Sequence, residues 1–246
     1  KASYFAKRNR RFQKVVRGAT ADTNDKAIQT LHSLTPRLRV RLRSYGGLED
    51  GAYFLPEEAV SVGTLVSLGV GPIANFELEL ARLGWRVILF DGTVQGLPVG
   101  HPNFTFVQKN VGLKGDEVPL DWIINSFLPL ETVEEVGLQG DIEGSAWEVF
   151  SERSLCDENL SRFSWLCIEL HGLHELWNPK LSGDRVKVLR RLLRDLVPVM
   201  LKPNNCGGYF QTTVGKVPDL IEMTFVNPRL LERCVPEKSS RKVVDL

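Results

Sequence analysis

The chain has 246 residues, 43% of them hydrophobic and 25% charged, with 31 Lys and Arg against 30 Asp and Glu for a formal net charge of +1. Such a composition belongs to a folded globular chain long enough to bury a large core. It excludes a disordered or collagen-like polymer, and four cysteines are too sparse for a small disulfide scaffold. No apolar run reaches the ~18 residues that a membrane-spanning helix needs, and balanced charge gives no global reason to expect nucleic acid.

The chain starts at Lys1 rather than Met, which leaves room for a leader or anchor ahead of it and leaves the compartment open between cytoplasm and secretory lumen. Residues 1–17 carry Lys1, Lys7, Arg8, Arg10, Arg11, Lys14 and Arg17 and no acid. This basic arm reads as a solvated helix or stalk, and any membrane contact would run through it. From Arg37 to Arg43, Leu38, Val40 and Leu42 alternate with arginines, the period of an extended strand. Thr64–Leu68 is a buried-strand run ending at Gly69, and Ile73, Phe76, Leu80 and Leu83 predict an amphipathic helix closed by Gly84. Strands follow at Arg86–Phe90 and Phe104–Val107, then a helix from Leu120 to Phe127 and strands at Val133–Gln139 and Trp165–Leu170. Val186, Leu189, Leu192, Leu193, Leu196 and Val197 predict a long helix ended by Pro198. Val199–Leu201 and Leu220–Val226 are the last strands. This alternation implies a mostly parallel sheet with helices on both faces. It divides the chain into a basic extension (1–37), one α/β domain (38–230) and a tail (231–246). Cys156, Cys167, Cys206 and Cys234 show no metal-ligand spacing. The sequons at Asn103 and Asn159 hint only weakly at secretion.

Three strand ends carry chemistry. Gly69-Val70-Gly71-Pro72-Ile73-Ala74 joins a strand to a helix, and its glycines allow a sharp turn and close approach of a ligand. The helix start would offer free N–H groups to a carboxylate or phosphate. Asp91 ends the next strand, where an acid can accept from both hydroxyls of a ribose, so the pair indicates a nucleotide-like cofactor. Gly140-Asp141-Ile142-Glu143-Gly144 lies where a doubly wound sheet opens its crevice. Glu169-Leu170-His171 ends a further strand and puts Glu169 and His171 on one face. If that strand neighbours the one ending at Asp141, the three side chains come together. Asp141, Glu169 and His171 could then hold a divalent cation such as Mg²⁺ or Mn²⁺. Alternatively His171 serves as a base oriented by a carboxylate. Glu143 either joins this group or caps the following helix.

Taken together, these segments resemble the class I methyltransferases that use S-adenosylmethionine, and within them the FkbM-like, methyltransferase-domain family. The resemblance rests on Glu49-Asp50-Gly51-Ala52-Tyr53-Phe54, Ser67-Leu68-Gly69-Val70-Gly71, Phe90-Asp91, Asp141 through Val149, Ile168 through His171 and Asn204-Asn205-Cys206-Gly207. Ala52, Pro72 and Gly140 depart from the family pattern. The resemblance implies a doubly wound, mostly parallel, seven-stranded Rossmann-like sheet. It implies S-adenosylmethionine on Gly69, Val70, Gly71, Asp91 and Asp141. Methyl transfer to a hydroxyl would follow, on a carbohydrate or another small hydroxylated acceptor. The catalytic groups would be Asp141, Glu143, Glu169 and His171, with Asp50, Tyr53, Asn204 and Asn205 against the acceptor. A nicotinamide-dependent oxidoreductase using Gly69, Gly71 and Asp91 is the alternative, and a cofactor-binding module without turnover is a third.

Overall fold

The computed structural model describes residues 2–47, 51–128, 135–204 and 206–234. Two helices open the chain, α1 (Ala2–Arg17) and α2 (Ala21–Leu34), followed by an antiparallel pair, β1 (Leu42–Tyr45) and β2 (Tyr53–Pro56). The α/β alternation then runs β3 (Gly63–Leu68), α3 (Asn75–Arg82), β4 (Arg86–Phe90), β5 (Phe104–Val107), α4 (Leu120–Phe127) and β6 (Glu135–Gly140). It continues through short α5 (Ala146–Val149) and α6 (Asp157–Leu160) to β7 (Trp165–His171), α7 (Ser182–Asp195) and β8 (Val197–Pro203). A hairpin of β9 (Tyr209–Thr212) and β10 (Gly215–Pro218), then β11 (Leu220–Val226) and α8 (Pro228–Cys234), complete it.

Among the described residues, seven strands form one sheet in the order β5-β4-β3-β6-β7-β11-β8. The sheet is doubly wound and mostly parallel; β11 alone runs antiparallel, to both β7 and β8. The first five strands follow the classic dinucleotide-fold order, but that fold has no antiparallel strand inserted before its last one. Strand alternation divides the core. Val66, Leu68, Ile88, Phe90, Leu166 and Ile168 face the side covered by α4 and α7. Leu65, Val87, Leu89, Trp165 and Cys167 face α3 and the β1–β2 pair. By the same period of two, Glu169 and His171 fall on the α3 side.

Local sequence explains the element ends. The helix α3 stops where Gly84 takes φ +95°. Its N–H bonds the Ala81 carbonyl at 3.0 Å, and the Trp85 N–H reaches back to Leu80 at 3.1 Å, a left-handed helix stop. The helix expected to run to Pro198 stops at Asp195 instead, and Val197 and Pro198 already belong to β8. Proline is tolerated there because β8 is the last strand of the sheet, with a free edge. The strand expected from Arg37 begins only at Leu42.

The basic segment also departs from a stalk. In α1, Phe12 is buried and stacks on His174 at 4.2 Å. Gln13 exchanges two hydrogen bonds with the backbone of Gln211, at 2.9 and 3.0 Å, and the Asn9 carboxamide oxygen accepts from the Tyr209 N–H at 3.1 Å. These amides cover strand β9, whose backbone would otherwise be an open edge. Arginines on the outer face hid the inward Phe12 from a charge count.

Candidate active site

The ends of β3, β4 and β6 are stitched together by backbone. The Gly69 N–H donates to the Phe90 carbonyl and the Asp141 N–H to the Leu68 carbonyl, each at 2.9 Å. A Cβ at Gly69 would stand 1.9 Å from the Asp141 carbonyl oxygen, and its φ is +81°. Glycine is required there because two strand-end loops touch.

Asp91 fastens the glycine turn. Its Oδ2 accepts from the N–H groups of Val70 and Gly71 at 3.0 and 3.1 Å, and its Oδ1 from the Thr93 N–H and hydroxyl at 2.7 and 2.6 Å. Four donors fill the acceptor sites of a carboxylate. Burial alone would raise its pKa, but hydrogen bonds from Thr93, Gly71 and Val70 hold it below the usual carboxylate range. Its oxygens are bonded within the loop, and the residue also lines the cleft beside it. The same bonds occupy the Val70 and Gly71 amides of the turn, ahead of the helix start at Asn75.

A cleft of about 520 Å³ opens beside this turn. Tyr53, Gly69 through Ile73, Phe90, Asn110, Val111 and Gln139 line it, and its charged residues are strongly one-sided. Glu77, Asp91, Glu117, Asp141 and Glu143 contribute five carboxyl groups against Lys109.

The third strand end adjoins the cleft through Asp141 and Glu143. Strands β6 and β7 are parallel neighbours, as the cluster requires. His171 Nε2 lies 3.1 Å from Glu169 Oε2 and 3.9 Å from Asp141 Oδ1, and Nδ1 lies 3.5 Å from Glu143 Oε2. Trp147, at the start of α5, donates its indole N–H to the His171 carbonyl at 2.6 Å and pins this strand end. Burial would lower the His171 pKa, but the Asp141, Glu169 and Glu143 carboxylates around both ring nitrogens raise it to about 9. The imidazole is therefore protonated at neutral pH. While it carries that proton, His171 has no lone pair with which to act as a base. One donor atom each from Asp141, Glu169 and His171 lies within 4.8 Å of the others, a spacing that suits a metal, but the His171 nitrogen carries a proton that an ion would have to displace. Glu143 is 86% exposed in its side chain and holds φ +53°, a left-handed conformation uncommon outside glycine and asparagine.

Asn204 is corrected as an acceptor contact. It is buried, and its Nδ2 donates to Glu169 Oε1 at 2.7 Å and Glu222 Oε1 at 3.2 Å while its Oδ1 accepts from the Cys206 N–H at 2.7 Å. Its amide separates two buried carboxylates facing each other across β7 and β11. Asp50 and Asn205 lie outside the described residues. Glu222, held by Lys202 at 2.9 Å, escaped the sequence reading, as did Glu77 and Gln139. The available signal was a polar residue inside an apolar run, as in Leu220-Ile221-Glu222-Met223.

Protein-family models and curated proteins give no match to this sequence. Among solved structures, the chain is similar to the fibrillarin/Nop5p complex at 8% identity, covering 70% of this chain and 75% of that one with a TM-score of 0.39. It is also similar to the N-methyltransferase NodS from Bradyrhizobium japonicum WM9, at 12% identity, 83% and 95% coverage and a TM-score of 0.35. A mutant 16S rRNA (adenine(1408)-N(1))-methyltransferase from Catenulisporales acidiphilia gives 14% identity, 78% and 100% coverage and a TM-score of 0.33. Likeness at this level extends to the fold alone.

Proposed function

We propose that the protein is an S-adenosylmethionine-dependent methyltransferase acting on a hydroxyl group of a carbohydrate or other small acceptor. The observation that carries this reading is the charge of the cleft, with Asp91, Glu117, Asp141 and Glu143 against one lysine and Glu77 buried beside them. A unit charge pair at 4 Å is worth about 4 kcal/mol at an effective dielectric of 20, so the sign of the ligand decides. A sulfonium and its ammonium group are attracted. The diphosphate of a nicotinamide dinucleotide is repelled, and the turn amides that would receive it are bound to Asp91.

The residues fit the cofactor in part. Phe90, Val70, Ile73 and Val111 offer apolar surface to a purine, and Asn110 and Glu117 are polar groups on the same wall. Ribose hydroxyls would meet polar groups from Asp91, Asn110 and Glu117 along the cleft. When bound, S-adenosylmethionine supplies an electrophilic methyl group on sulfur. The chain must orient the acceptor and take its proton, since an alcohol is a weak nucleophile. Asp141 is placed to receive that proton, because its side chain is 40% exposed, lines the cleft and lies 3.9 Å from the His171 imidazolium. His171 holds Asp141 and Glu143 beside the cleft as a fixed positive charge.

Calorimetry with S-adenosylmethionine, S-adenosylhomocysteine and NAD tests the reading. The first two should bind in the micromolar range and NAD should give no heat. Binding of NAD, or of none of the three, would refute it.

A further inference from the structure

We infer that Glu77 is held as a neutral carboxylic acid, and that its proton orients a buried relay through Ser67 and Gln139 that presents the Tyr53 hydroxyl to the cleft as a hydrogen-bond donor for an acceptor group of the ligand.

The inference comes from counting hydrogens. Ser67 Oγ lies 2.7 Å from Glu77 Oε1 and 2.8 Å from Gln139 Oε1. A serine hydroxyl carries one hydrogen, so it can donate to one of them only. Gln139 Nε2 donates to the Tyr53 hydroxyl oxygen at 2.9 Å, which leaves a carbonyl oxygen facing Ser67. That oxygen has no hydrogen to give. With the amide in this orientation the second hydrogen comes from Glu77, and the chain runs Glu77 to Ser67 to Gln139 to Tyr53. The opposite polarity is also self-consistent. An ionised Glu77 takes the serine hydrogen, the Gln139 amide turns over, and its oxygen then captures the tyrosine hydrogen. Tyr53 would then show the cleft lone pairs alone. One proton on Glu77 thus selects whether this wall donates or accepts.

The surroundings select the protonated form. Ser67, Gln139, Glu77 and Tyr53 are all buried, at 0%, 2%, 4% and 5% exposure. No cation pairs with Glu77 among the described residues. Burial raises its pKa against the opposing pull of Ser67 and of its own backbone N–H. Tyr53 stays a phenol, since burial and then the Asp141 charge push it well above its ordinary value. Its hydrogen meets no acceptor among the described residues, and the residue lines the cleft. A neutral donor lets a wall flanked by carboxylates offer a hydrogen to an anionic group without adding charge of its own. The ligand group that fits is a carboxylate, and under the cofactor reading above it is that of the amino-acid moiety.

Glu77 is a positioning residue, and infrared difference spectroscopy tests it without any ligand. Wild type minus Glu77→Gln at neutral pH should show the carbonyl band of a protonated carboxylic acid, shifted in D₂O. If that variant does not fold, Glu77→Asp should shift the band, and a Glu169→Gln protein that retains it excludes the other carboxyl raised by burial. Absence of that band overturns the proposal. Calorimetry with S-adenosylhomocysteine tests the other end of the relay. Tyr53→Phe should weaken binding about tenfold, the loss of one hydrogen bond to a charged group, and unchanged affinity overturns the donor assignment. If wild type fails to bind S-adenosylhomocysteine, the cofactor reading falls, and the infrared band still decides for or against Glu77.

Discussion

Replacing His171 with Gln should change how stability depends on pH. Its pKa is about 9 in the fold because Asp141, Glu169 and Glu143 surround the ring, against burial that pulls the other way. In the unfolded chain an imidazole titrates near 6.5. A group whose folded pKa is raised contributes fully below its unfolded pKa and loses that contribution as pH rises through the folded one. The window is therefore about pH 6.5 to about 9, and the gap corresponds to about 3 kcal/mol. Side-chain exposure of 16% leaves little solvent screening to discount. Urea unfolding from pH 6 to 9.5 should show wild type losing about this amount while His171→Gln stays nearly flat. The variant should also be less stable at pH 6, where three carboxylates lose their common counter-charge. NMR titration of the His171 ring gives a direct check. A pKa near 6.5, or parallel pH profiles for the two proteins, would refute the imidazolium assignment.

Gly69→Ala should destabilise by at least about 3 kcal/mol, because its Cβ would meet the Asp141 carbonyl oxygen at 1.9 Å; a melting temperature within a few degrees of wild type would show that the two loops can separate. Glu143→Gly should stabilise by up to about 1 kcal/mol by relieving φ +53° and should lower the His171 pKa by withdrawing the carboxylate near Nδ1; thermal unfolding and the same NMR titration read the two effects. Deleting residues 1–17 should cost at least about 3 kcal/mol through loss of the buried Phe12; unchanged unfolding would restore the stalk reading.

The order of strands and helices was legible because each strand of the parallel sheet is a run of apolar residues between turn signals, and Gly69, Gly84 and Asp91 fall where those runs end. The convergence of Asp141, Glu169 and His171 was legible too, since a period of two and one neighbour relation, β6 beside β7, suffice to bring them together. What lay beyond the sequence was partnership. Nothing in Asp91 as a letter says that four local donors will occupy it, and nothing in Asn204 says that Glu169 on β7 and Glu222 on β11 will lie side by side. The docking of α1 on β9 depends on contacts about 200 residues apart in the chain, which local periodicity does not encode. The protonation of His171 was hidden for the same reason: an isolated imidazole titrates near 6.5, and the carboxylates around the folded ring raise it to about 9.

That proton also governs whether the cluster can hold a metal. Asp141, Glu169 and His171 place three donor atoms within 4.8 Å, and a divalent ion must take its imidazole ligand deprotonated. With a pKa of about 9 at His171, removing the proton at pH 7 costs about 3 kcal/mol, or about a hundredfold in affinity. Binding of Mn²⁺ should therefore tighten about tenfold per pH unit between pH 7 and about 9 and then level off, with one proton released per ion. Calorimetry in two buffers of different ionisation enthalpy counts that proton directly. Affinity independent of pH across this range would mean that an ion binds on the carboxylates alone, without His171. No binding even at pH 9.5, where the ring nitrogen is free, would mean that the three groups form an ion-pair cluster whose occupant is the proton. In His171→Gln the pH dependence should vanish, which separates competition at this ring from any general effect of surface charge.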